Sequence, residues 1–259
     1  MEYSPTAYPN IKQTVFLILM MFVTHVVAKY LFSFIESHGL AGLLQESFKL
    51  GLLVLFIKYI MKREDVDIRQ FKTEKPNMLF LLTCILAALS IRFLPDFSYL
   101  DEGTAQHMVV DMINKEADFY SLISSVLVGP SFEEVLFRGL ILGGLLKRYK
   151  PVLAILIAAV LFGSLHPLNA LSATLLSCLI GWIYYHTENM FYCIAIHGAV
   201  NLFGFIFRYA LHEKYTSQER LAETDTIAIS IIALTILLAC IYKLHLFLKK
   251  DKSTNVELC

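Results

Sequence analysis

GPSFEEVLFRG, residues 129–139, sets two glutamates and an arginine between apolar runs, with FYSLISSVLV before it and LILGGLL after it. Ionisable side chains are expensive inside a bilayer, and those that persist there face the bundle interior and mark functional sites. Whether this stretch lies in a membrane segment therefore decides both the fold and the search for a site.

The composition answers first. Of 259 residues, 57% are hydrophobic and only 17% are charged, with a mean hydropathy of +0.61, more apolar than a soluble domain of this length. About 20 apolar residues cross ~30 Å of hydrocarbon. Eight windows reach or approach that length, at about 13–35, 41–61, 77–95, 119–148, 151–166, 170–186, 190–211 and 226–248. The expected fold is all-α: a polytopic membrane bundle of about eight transmembrane helices. Brief connections make residues 1–259 one membrane-embedded domain, with a motif-bearing core at about 119–211. The 151–166 and 170–186 windows are short, as suits helices flanked by protein.

The first apolar run is preceded by Lys12 alone and followed by no small-x-small site, unlike a cleavable signal peptide. A formal net charge of zero conceals an alternation. Lys58, Lys62, Arg63, Arg69, Lys72 and Lys75 surround the second connection, whereas the third (about 96–118) holds only Lys115 among acids. Lys147, Arg148 and Lys150 mark the fourth, and Lys243, Lys249, Lys250 and Lys252 mark the C-terminal end. The positive-inside rule then puts both termini in the cytoplasm, and the chain in the cell membrane if the source is prokaryotic. Lys214 and Arg220 run against the pattern without reversing it. The connector MKREDVDIRQFKTEKP reads as a solvated loop. Cys84, Cys178, Cys193, Cys240 and Cys259 show no paired spacing, and the first four read as small apolar core residues. No glycine-rich phosphate loop is present, and the expected partners are the lipid bilayer and a peptide, with no nucleic acid.

Several polar residues in the apolar windows have simple explanations. Lys29, Lys49 and Arg92 fall near helix ends, where long side chains snorkel. His25 reads as an isolated structural histidine, and His186, His212 and His245 as interfacial ones. Glu133, Glu134, Arg138, His166, His197 and Asn201 remain.

In the opening stretch, Gly129-Pro130 interrupts the helical pattern, since proline suits a helix entry better than its interior. Ser131 followed by Glu134 then predicts a capping box. Glu134 and Arg138 stand at i, i+4 in the order that favours an ion pair, which gives Glu134 two structural tasks. Glu133 projects about 100° away and has no such task, so it is the candidate general base. An equally simple reading pairs both acids with Arg138 as a helix lock. Two further clusters favour chemistry. LFGSLHPLN places Phe162 and His166 at i, i+4 before Pro167, and IAIHGAVNLFG places His197 and Asn201 at i, i+4 with Gly198 and Ala199 between them. Small residues allow close helix approach in membranes. A carboxylate, two imidazoles and an amide can together activate water and stabilise an oxyanion.

EEVLFR, FGSLH and HGAVN, in this order over roughly residues 119–205, resemble the E-E-x-x-x-R, F-x-x-x-H and H-x-x-x-N motifs of the CAAX protease and bacteriocin-processing family of intramembrane endopeptidases. The resemblance implies that Glu133 and His166 activate the attacking water while His197 and Asn201 form the oxyanion hole. Glu134, Arg138 and Phe162 then stand in supporting positions, and no cofactor is expected. Zinc is the alternative, because two histidines and a glutamate could hold it with an open fourth position. It is disfavoured because H-E-x-x-H is absent and zinc would compete for His197. The resemblance also implies a peptide or protein substrate at the membrane. A proton-relaying transporter and a non-catalytic peptide-binding immunity protein are the competing functions. The first half of the chain lacks the mirror-image motif expected of an inverted repeat. Positive-inside topology sets Glu133 and His166 near one membrane face and His197 near the other, so helices that are tilted or that start inside the bilayer are expected.

Overall fold

The computed structural model describes residues 8–63, 75–94, 118–211 and 223–256. Among the described residues it is all-helical, and eight long helices fall on the eight apolar windows: α1 (Ile11–Leu31), α2 (His38–Ile60), α3 (Met78–Ile91), α4 (119–146), α5 (Pro151–Ser164), α6 (Ala170–Thr187), α7 (Met190–Leu211) and α8 (Glu223–Val256). Most of the third connection, the middle of the second, residues 212–222 and Cys259 lie outside the described residues. They include Arg69, Lys72, Lys115, His212, Lys214 and Arg220.

Helix starts are written in short polar side chains. Asn10 closes a capping box with Gln13, and Ser37, Asn77 and Asp118 each accept the amide three residues on, satisfying donors that a first turn leaves open. Between α6 and α7 the chain turns sharply through Glu188, at φ 47°, and the Asn189 side chain then accepts the Phe191 amide.

Helix α4 holds the centre. Leu136, Phe137, Leu140, Ile141, Leu142 and Leu145 are all buried. Helices α5, α6 and α7 pack around it, α2 lies along its first half, and α3 carries α8 on the far side. Helix α5 folds back on α6 as a hairpin so close that a Cβ on Gly163 would strike the Thr174 hydroxyl and the Ala170 carbonyl. Lipid is the natural neighbour of the outer faces. Helices α1, α2 and α8 expose Phe16, Leu19, Val26, Leu55, Ile231 and Leu238, and these three have the length and apolarity to cross a membrane: Ile11–Leu31, His38–Ile60 and Ile227–Lys249. The chain is an integral membrane protein. Helices α3 and α5, of 14 residues each, span only about 21 Å. Helix α5 is not enclosed by protein as its shortness suggested, because Val152, Leu156 and Val160 remain exposed.

Several features of the chain depart from expectation. Gly129-Pro130 does not start a helix. Helix α4 runs through it, and π-helical turns at Ser124–Val128 and Val135–Leu142 flank the α-helical Gly129–Glu134. No capping box forms at Ser131, whose hydroxyl donates to the Leu127 carbonyl instead. Lys49 does not snorkel. It is buried in α2, its ammonium 2.6 Å from Glu46 and 5.0 Å from the centre of the Phe132 ring, at the wall of an apolar cavity of about 240 Å³ between α1, α2 and α4. His25 in turn is exposed on α1 rather than packed inside.

Removing one partner of a buried ion pair strands the other. Glu46→Ala should therefore destabilise the protein by ~1–3 kcal/mol, less than a fully buried pair because the Glu46 side chain is 23% exposed. Adding Lys49→Met should restore most of the loss, as thermal unfolding in detergent would measure.

Candidate active site

The two adjacent glutamates on α4 occupy different environments. Glu134 is fully buried, and a single oxygen, Oε1, accepts from Arg138 Nη1 at 2.9 Å and from His197 Nδ1 at 2.7 Å. Its other oxygen, Oε2, has no protein partner among the described residues. Glu133 points to a more open place. Its side chain is 31% exposed, with Oε2 3.7 Å from His197 Nε2. Glu133 is partly accessible from outside the protein, whereas Glu134 is sealed within it.

Arg138 is buried as well, and its second nitrogen crosses to α6. Nη2 donates to the Ser177 hydroxyl at 3.0 Å and to the Ser177 carbonyl at 3.3 Å. Glu134 thus receives a charge-assisted hydrogen bond whose donor is itself clamped at the far end. Ser177 was not singled out in the sequence: its one polar neighbour at helical spacing in ATLLSCLIGW is Thr174, a second uncharged hydroxyl, and such a pair marks no site.

Phe162 joins the remaining parts. Its ring stacks on His166 at 4.4 Å and 27° and meets His197 edge-on at 5.9 Å. Phe137 meets it edge-to-face at 5.1 Å, and the Arg138 guanidinium sits 5.2 Å from its centre, a cation–π distance. His166 enters the cluster through this ring, just beyond the end of α5. Its Nδ1 lies 2.8 Å from the Phe162 carbonyl, which can only accept, so Nδ1 carries the proton and Nε2 of the neutral ring offers a lone pair.

Asn201 lies one turn beyond His197 on α7, and its Nδ2 donates to the Ser125 carbonyl of α4 at 2.9 Å. Between the two, Gly198 faces the Val126 carbonyl so closely that a Cβ there would lie 2.5 Å from that oxygen. The glycine in HGAVN is thus the contact that lets α7 settle on α4. Hydrogen bonding puts Glu134 and His197 side by side, and Glu133 lies near the middle of α4, which extends far to either side of its motif.

All seven candidate residues fall within residues 115–203, which match the family model described as type II CAAX prenyl endopeptidase, Rce1-like. The chain carries an Rce1-like domain. This agrees with the resemblance borne by EEVLFR, FGSLH and HGAVN, and Rce1-like proteins are endopeptidases. Comparison with curated proteins and with solved structures returns no match.

Arg138→Gln should cost ~3–5 kcal/mol, because it leaves Glu134 charged and buried against His197 alone. Glu133→Gln should cost far less, ~1 kcal/mol or below, because its side chain is partly exposed and its nearest charged partner, His197, stands 3.7 Å away. Unfolding of the purified variants in one detergent compares the two directly.

Proposed function

We propose that the Rce1-like domain is an intramembrane endopeptidase of the glutamate type, acting on a peptide or protein at the membrane. The observation that carries the reading is the unequal state of the two acids. Glu134 is consumed by Arg138 and His197, while Glu133 is partly exposed beside His197 Nε2.

The chemistry follows from proton positions. Glu133, assisted by the lone pair on His166 Nε2, takes a proton from water, and the hydroxide so formed attacks the peptide carbonyl carbon. The carbonyl oxygen becomes an oxyanion. His197 already gives its Nδ1 proton to Glu134, so it can donate from Nε2 only as the imidazolium. In that state Glu133, Glu134, Arg138 and His197 sum to zero charge, the cheapest arrangement in a low-dielectric interior. The sum over these groups and the reacting atoms stays zero when Glu133 becomes neutral and the oxyanion appears. Asn201 supplies a second donor through the amide hydrogen not given to Ser125. Collapse of the tetrahedral intermediate breaks the C–N bond, and the proton held by Glu133 passes to the departing amine.

Zinc is less well suited to these groups. The Glu134 carboxylate and His197 Nδ1 are spent on each other, and Arg138 holds a fixed positive charge 2.9 Å from the same carboxylate. Among the described residues no three histidine, cysteine, aspartate or glutamate side chains gather at ligand spacing. The metal-free course is therefore the proposal.

An eight-span topology with both termini in the cytoplasm goes with this reading. The short α3 and α5 would then cross where protein or tilt makes up the missing length.

Glu133→Gln should abolish hydrolysis of a fluorogenic peptide while peptide binding and folding persist, and the wild type should keep its rate in excess chelator. Retained turnover in Glu133→Gln would sink the assignment. Reversible loss of activity on chelation and zinc addition would replace it with the metal-dependent one.

A further inference from the structure

Helix α4 contains a proline at its centre. Pro130 has no N–H to give, and in a regular helix its ring would collide with the carbonyl four residues earlier. The π-helical turn Ser124–Val128 absorbs the collision, and the Gly129 amide donates to Ser124, five residues back. In that register the next carbonyl, Ser125, needs a donor from residue 130. Pro130 cannot provide it. A backbone carbonyl within a packed helix must find a partner elsewhere, and it finds Asn201 Nδ2 at 2.9 Å. The neighbouring Val126 carbonyl faces Gly198 on the same helix, where the missing side chain makes room.

We propose that Pro130 is a positioning residue for Asn201: by withholding a donor from Ser125 it creates the acceptor that grips one amide hydrogen of Asn201 and aims the other at the reacting carbonyl. The aiming half rests on the oxyanion role given to Asn201 above; the gripping half does not. A carboxamide is planar, so fixing one N–H fixes its partner about 120° away. The donor is thereby preorganised rather than recruited during the reaction. The spacing in the sequence acquires a reason as well. Gly198 and Asn201, three residues apart on α7, address the successive carbonyls of Val126 and Ser125 that the proline disturbs.

The test is a double-mutant cycle on the full-length protein in detergent: wild type, Pro130→Ala, Asn201→Ala and the double variant. The Pro130→Ala change returns an N–H. Whether α4 then takes the α or the π register, Ser125 gains a backbone donor, from residue 129 or from residue 130. Asn201→Ala should therefore lower the melting temperature of the wild type, and lower that of the Pro130→Ala variant by less than half as much. Equal losses in both backgrounds would overturn the proposal. On the peptide substrate, Pro130→Ala should lower kcat by at least ~10-fold at unchanged KM, as a mis-aimed donor does, and should lower it no further once Asn201 is replaced by alanine. An unaltered kcat in Pro130→Ala would remove the aiming role. If Pro130→Ala does not fold, Asn201→Asp decides the gripping role, because it keeps the shape and loses the donor: it should melt at least as low as Asn201→Ala, and a wild-type melting temperature would refute the grip. The melting data stand whether or not the wild type cleaves the peptide, so failure of the protease reading is distinguishable from failure of this one.

Discussion

A single carboxylate oxygen, Glu134 Oε1, organises this molecule. It accepts from Arg138 on its own helix and from His197 on α7, and Arg138 continues to Ser177 on α6 and to the Phe162 ring on α5. Four helices thus converge on one charge. Burying that charge costs several kcal/mol, and its partners repay this only when their geometry is good. The net gain in stability is small. The gain in definition is large, because any shift of α6 or α7 leaves a buried charge or donor without a mate.

The same arrangement separates the fates of two adjacent acids. A helix turns about 100° per residue, enough to put Glu134 in the dry interior while Glu133 faces the opening. Spending one glutamate on structure leaves the other in a known setting, with a histidine held in one orientation beside it. The supporting groups restrict freedom of rotation more than they add energy: His197 is fixed by its bond to Glu134, and His166 by its own helix-end carbonyl and an aromatic face.

Much of this was legible in the chain. All eight helices lie on apolar windows, because a bilayer imposes a length and a composition that survive without knowledge of tertiary contacts. The Glu134–Arg138 pair was readable from i, i+4 spacing, and the clustering of EEVLFR, FGSLH and HGAVN from three such spacings together. What escaped had other causes. Ser177 and the Ser125 carbonyl are partners supplied across helices, and nothing local marks them. Lys49 was placed at a helix end, although its mate Glu46 stands three residues earlier and the pair lies against Phe132 in the interior. Pro130 was taken for a boundary because local preference disfavours it within a helix, while packing on α7 and a wider turn accommodate it. Periodicity describes one helix at a time, whereas these features belong to pairs of helices.

The π-helical turns of α4 amount to extra residues wound into an otherwise regular rod. Across each, the side-chain phase slips, so a helical wheel drawn through 119–146 assigns faces wrongly beyond residue 124. This gives the rod an unusual tolerance of chain length. Removing one residue between 124 and 128 would leave hydropathy and all three motifs intact and restore an ordinary pitch, and because the wide turn already holds that extra residue, the side chains downstream would stay on their present faces. Glu133 and Glu134 would keep their outlooks. Related chains that carry the same motifs but differ by a single-residue gap at this point would thus keep the same two outlooks for their glutamates and differ only in the slack ahead of the proline.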